Sequence, residues 1–117
     1  SLEGNRDIQA AVDILSDYLE DGNRRLFNAN VSNADEFFQW AQDWSAWARQ
    51  VEDHIENSFS RAERNNFRNR VLLRIRDIPG SFDKLHNHQR CILEEELEKI
   101  REITVRHSTV GKLHDAQ

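Results

Sequence analysis

The chain has 117 residues, with 38% hydrophobic and 32% charged residues and a formal net charge of −5. One proline and four glycines leave too few turn formers for a β-rich architecture, and no apolar run reaches the length that spans a membrane. A single cysteine, Cys91, excludes an internal disulfide framework and a four-cysteine zinc site.

This length and balance predict one domain over residues 1–117, amphipathic, all-α and large enough to bury a core. The lone thiol fits a reducing cytoplasm. Methionine is absent, at position 1 and elsewhere, so the expectation is a processed chain or a part of a longer protein. Charge is unevenly distributed. Residues 1–59 carry 12 acids against 4 bases, whereas residues 60–76 carry six arginines against Glu63.

In chain order, the first helix is predicted over about residues 6–28, with Ile8, Ala11, Val12, Leu15, Leu19 and Leu26 on one face. Gly22 and Leu26 fall on the same stripe as Ile8, so the helix is expected to continue through Asp21-Gly22-Asn23. A loop rich in Asn and Ser follows. Ser32 or Asn33 is placed to cap a second helix over about residues 33–58.

That second helix carries the strongest pattern in the chain. Phe37, Trp40, Trp44, Trp47, Val51 and Ile55 fall within an arc of roughly 80° at 100° per residue. Such a seam reads as core filling between amphipathic helices, because large aromatics dominate packing. Buried indole N–H groups need acceptors. Gln89 and Glu96, within the apolar stripe of the last helix, are the side chains placed to supply them.

Ser60-Arg-Ala-Glu63 fits a capping box and opens a short helix over about residues 60–67. Residues 68–80 mix strand-like and helix-like spacing and are expected to form an irregular packed connector, ended by Pro79-Gly80. Ser81 is placed to cap a final helix over about residues 81–107, with Phe82, Leu85, Ile92, Leu93, Leu97, Ile100 and Ile103 inward. Glu95–Lys99 and Glu102–Arg106 stand at i,i+4 spacing on its outer face, and the tail from about residue 108 is polar. Three long helices and one short one form an antiparallel bundle.

Several groups are candidates for chemistry. Arg61, Arg64, Arg68, Arg70, Arg74 and Arg76 could neutralise phosphates, which makes a nucleic-acid-associated regulator the alternative function. The acidic remainder of the chain favours pairing of these arginines with the first two helices instead. Gln89, Glu96 and His107 could set register at a homodimer seam, as buried polar groups do in coiled coils. His88, Cys91 and Glu95 share one helix face, and Asp83-x-x-His86 is a single incomplete analogue of a di-iron motif. Helical projection turns the His88–Cys91–Glu95 face to solvent, and no metal or cofactor is expected. No Gly-rich phosphate loop or activated nucleophile is present, so no enzymatic activity is expected.

Through Trp44, Trp47, Val51, Ile55, Ala62-Glu63 and Phe67 the chain resembles helical segments of uncharacterised bacterial proteins. Leu97-Glu-Lys-Ile-Arg-Glu-Ile103 is similar to their later helix, and the likeness covers about a third of the chain. It implies a helical fold, a bacterial setting and no particular activity. The expected role is a non-enzymatic interaction or oligomerisation module, acting on a protein partner or as a homodimer and not on a membrane.

Overall fold

The computed structural model describes residues 2–69 and 75–115, with side chains described over 6–69 and 75–108. It is all-α among these residues: α1 (Leu2–Asp21) runs into a π-helical turn (Gly22–Phe27), followed by α2 (Ala34–Ser58), α3 (Arg61–Arg68) and α4 (Lys84–Asp115).

Local chemistry sets the helix starts. The Asn33 side chain accepts from the Glu36 N–H at 2.9 Å, and Glu36 Oε1 accepts from the Ser32 N–H at 3.0 Å. This reciprocal box satisfies two donors that would otherwise be unpaired. Ser60 caps α3 in the same way, its Oγ accepting from the Glu63 N–H at 3.0 Å. At α4 the expected cap, Ser81, is replaced by Asp83, whose Oδ1 accepts from the His86 N–H at 2.8 Å. The reason lies upstream: Ser81 Oγ is spent on the Ile78 carbonyl at 2.8 Å, inside the Pro79-Gly80 turn. Gly80 there takes φ of +82°, a conformation that favours glycine.

The helix pairing follows from cross-contacts. Trp47 meets Tyr18, Trp40 meets Leu26 and His54 meets Ala11, so α1 and α2 are antiparallel. Trp40 meets His86 and Trp44 meets Glu96, so α2 and α4 run parallel. The chain returns between them. Glu63 lies beside Arg106, Asn69 beside Lys99, Arg76 beside Glu94 and Pro79 beside Arg90. The result is an elongated bundle of 53 × 24 × 22 Å, in which α1 packs on α2 and α4, and α3 packs on both α2 and α4.

One apolar core joins all four helices: Leu15, Leu26, Trp40, Trp44, Trp47, Val51, Ile55, Phe67, Leu93, Leu97, Ile100 and Ile103 are buried in it. Phe37 is half-buried at its edge. Three residues expected inside are on the surface or partly so. Ile8 is 36% exposed, Phe82 precedes α4 at 38% exposure, and Leu85 is 55% exposed. Cys91 is the opposite case. It is 2% exposed because residues 76–81 cross the very face of α4, carrying Asn87, Cys91 and Glu94, that projection assigns to solvent.

The helix does continue through Gly22, but with a wider pitch. In the π turn the Asn28 N–H bonds the Asn23 carbonyl, five residues back, at 3.0 Å. Gly22 is there because nothing larger fits. A Cβ at this position would lie 2.5 Å from Trp47 Cζ2 and 3.1 Å from Leu97 Cδ2. Alanine gains about 1 kcal/mol of helix preference over glycine. Overpacking against a ring held by its own hydrogen bond costs about 1–3 kcal/mol. Gly22→Ala is therefore expected to lower stability by up to about 2 kcal/mol in urea unfolding, and a gain in stability would show that Trp47 is free to move aside.

Candidate functional site: the α2–α4 groove and the strap on α4

The three indoles use three different acceptors. Trp40 Nε1 donates to the Leu26 carbonyl at 2.8 Å and Trp47 Nε1 to the Tyr18 carbonyl at 3.0 Å. Trp44 Nε1 donates to Glu96 Oε1 at 2.8 Å, with both residues buried. Of the two acceptors expected from α4, Glu96 serves the seam. Gln89 does not: its Oε1 is shielded from solvent without a hydrogen-bond partner.

Gln89 instead lines a cleft of about 330 Å³ with Ala41, Trp44, Ser45, Ala48, Arg49 and Glu52 of α2. Ala41, Ser45 and Ala48 are small residues at helical spacings of four and three, so the α2 wall is low and the edge of Trp44 forms part of the lining. One turn before Gln89 stands Leu85, and one turn before Ala41 stands Phe38, 64% exposed. Both lie on the same helical faces as the cleft residues. The signal for this groove, small residues flanking a tryptophan stripe, is present in the sequence, although it does not say which face stays uncovered.

The remaining candidates are dispersed. His107 lies at the far end of the bundle, its ring centroid 4.6 Å from that of Phe59 and its Nε2 shielded without a partner. Gln89, Glu96 and His107 thus share a stripe but not a site. The arginines are engaged with carboxylates. Arg64 pairs with Glu56 at 2.6 Å, Arg68 with Glu52 at 3.0 Å, and Arg61 reaches Glu56 at 3.7 Å. Arg76 bonds Glu94 through two nitrogens, and this holds the Glu94 carboxyl below its ordinary pKa. Arg70 and Arg74 lie outside the described residues. Arg106 reaches across to Glu63 at 2.8 Å.

A second constellation holds the segment 76–82, here termed the strap, against α4. Asn87 accepts from the Ile78 N–H at 2.7 Å and donates to the Arg76 carbonyl at 2.9 Å. The Cys91 thiol donates to the same carbonyl at 3.3 Å. Arg90, buried, donates to the Pro79 carbonyl and Ser81 Oγ at 3.0 Å and to the Phe27 carbonyl at 2.9 Å. Its guanidinium also lies 4.9 Å from the centre of the Phe27 ring. Burial lowers its pKa from the ordinary arginine value, with the Arg76 charge adding to the effect. His86 completes the set by accepting from the Phe82 N–H at 2.9 Å through Nδ1. Sequence reading missed Arg90 and Asn87 because their partners are backbone carbonyls and amides of a segment with no periodic signature. His86 was legible only as the third residue after Asp83, a capping-box position.

His88, Cys91 and Glu95 do not converge. Among the described residues no group of three His, Cys, Asp or Glu side chains is arranged to hold a metal ion, and no helix is long and apolar enough to cross a membrane. No protein-family model, curated protein or solved structure matches the chain.

The Trp44–Glu96 bond yields a direct test. Glu96→Leu leaves a buried indole donor without an acceptor and is expected to cost about 1–3 kcal/mol in urea unfolding. Glu96→Gln keeps an oxygen acceptor and should cost clearly less. Equal losses for the two variants would mean that the contact is packing and not a hydrogen bond.

Proposed function

We propose that the protein is a non-enzymatic helical interaction module that associates with a second copy of itself through the α2–α4 groove. The observation that carries this reading is the shielded, unbonded Gln89 Oε1 beside a wall of Ala41, Ser45 and Ala48, with exposed Phe38 and Leu85 one turn away. A low wall admits the approach of another helix, and an acceptor without a donor favours a contact that brings one. The rim carries Arg49 and Glu52, opposite charges one turn apart. A two-fold axis near Ser45 that brings α2 antiparallel to its copy sets Ala41 against the partner's Ala48 and Ala48 against the partner's Ala41, as an isologous contact requires.

The reading of the arginine segment as a nucleic-acid surface has less support, since Arg61, Arg64, Arg68 and Arg76 already face carboxylates. Salt-dependent binding that weakens in an Arg68→Ala/Arg70→Ala variant would favour that alternative.

Light scattering across a wide concentration range tests the proposal. The expected result is a dimer, converted to monomer by Ala41→Glu/Ala48→Glu with the helical circular dichroism unchanged. A strict monomer at every concentration, or a dimer indifferent to both substitutions, overturns it.

A further inference from the structure

The strap is held to α4 by side chains of which one, His86, is an imidazole. His86 is 0% exposed, with its ring centroid 4.7 Å from Trp40 and 5.4 Å from Phe37, edge-on to both. Since Nδ1 accepts the Phe82 N–H, the ring is neutral and carries its proton on Nε2. That nitrogen is shielded from water and has no acceptor.

We propose that residues 76–82 form an acid-released strap: protonation of His86 removes the acceptor that holds Phe82, and the strap lifts from α4 and uncovers Cys91. A proton on Nδ1 sets two donors, Phe82 N–H and imidazolium N–H, against each other. It also creates a buried cation with no acceptor at either nitrogen, a costly arrangement away from water. The charged groups acting on the ring divide by element. On α4, Arg90 opposes a second positive charge; at the helix start, Asp83 favours it, although its Oδ1 is committed to the His86 N–H. From α2 the ring meets Phe37 and Trp40, which carry no charge. The π turn contributes the Phe27 carbonyl, which is occupied by Arg90. The Trp40 ring attracts a cation but offers neither ring nitrogen a hydrogen-bond acceptor.

Burial, with Arg90 adding to it, lowers the His86 pKa in spite of Asp83. The unfolded or released ring, with an ordinary value of about 6.5, therefore binds its proton more readily than the docked ring. The hold on the strap is complete above that value and is lost as pH falls through the lower, docked value.

The consequence is read at Cys91, whose thiol lies under the Arg76 carbonyl. Labelling of the whole chain by a pyridyl disulfide, which reacts in mild acid, is measured between neutral pH and about pH 5, above the ordinary carboxylate range. Rates are normalised to the urea-unfolded chain at each pH. Protection of Cys91 is expected to fall by up to about tenfold per pH unit as pH drops from the ordinary imidazole value of about 6.5 toward the lower docked value, the slope of one proton, and to level off below it, while helical circular dichroism holds. In His86→Gln, which does not titrate, protection should stay flat. Protection independent of pH in the wild type overturns the proposal. So does an equal fall in His86→Gln, or a fall that coincides with loss of helix. Should His86→Gln fail to fold, nuclear magnetic resonance of the wild type decides. A common midpoint below about 6.5 for His86 Nδ1 and the Phe82 amide supports release, and separate midpoints rule it out.

Discussion

Three indole N–H groups are taken out of water on one helix, and each must be given an acceptor. Burial of a donor without one costs about 1–3 kcal/mol, enough to decide between alternative packings of a small domain. Two of the acceptors are main-chain carbonyls, Tyr18 and Leu26, and one is the carboxylate of Glu96. The first pair ties α2 to the end of α1, and the third ties it to α4. Register is therefore fixed in two directions from a single stripe of side chains. Gly22 belongs to the same arrangement, because Trp47 reaches Tyr18 only by lying over a position without a Cβ.

The wide turn at Gly22–Phe27 follows from this demand. It buries Leu26 and presents the Leu26 carbonyl to Trp40, and the Phe27 carbonyl at its end receives Arg90. Arg90 then holds Pro79 and Ser81, so the strap is anchored to the π turn through a buried cation. Because the strap crosses the back of α4 near Asn87 and Cys91, it leaves the α2–α4 side open at Gln89. The covered cysteine and the uncovered groove are two consequences of one chain path.

Much of this is legible in the amino-acid order. The aromatic stripe of α2, the Asn33 and Ser60 caps and the helix through Gly22 all rest on local spacing, which survives in the fold. Glu96 as an indole acceptor was also within reach, since a charged residue inside an apolar stripe calls for a buried partner. What could not be read depends on tertiary path. The backbone acceptors for Trp40 and Trp47 have no residue identity. Leu85 follows the apolar pattern of α4 but stays largely exposed, and Phe82 is covered only in part, against Phe37, whereas Cys91 departs from the pattern and is covered. The pairing of Arg64 and Arg68 with Glu56 and Glu52 is suggested by charge segregation, and the choice of partners is set by α3 folding back on α2.

Hydrogen exchange at the three indole N–H groups, followed by nuclear magnetic resonance after transfer to heavy water, is the most direct check. All three resonances should persist and exchange only on the timescale of global opening, with tryptophan emission at the short wavelengths of a dry interior. Exchange of any one of them within the dead time, accompanied by long-wavelength emission, would mean that its ring faces water and that the helix register derived from it is wrong.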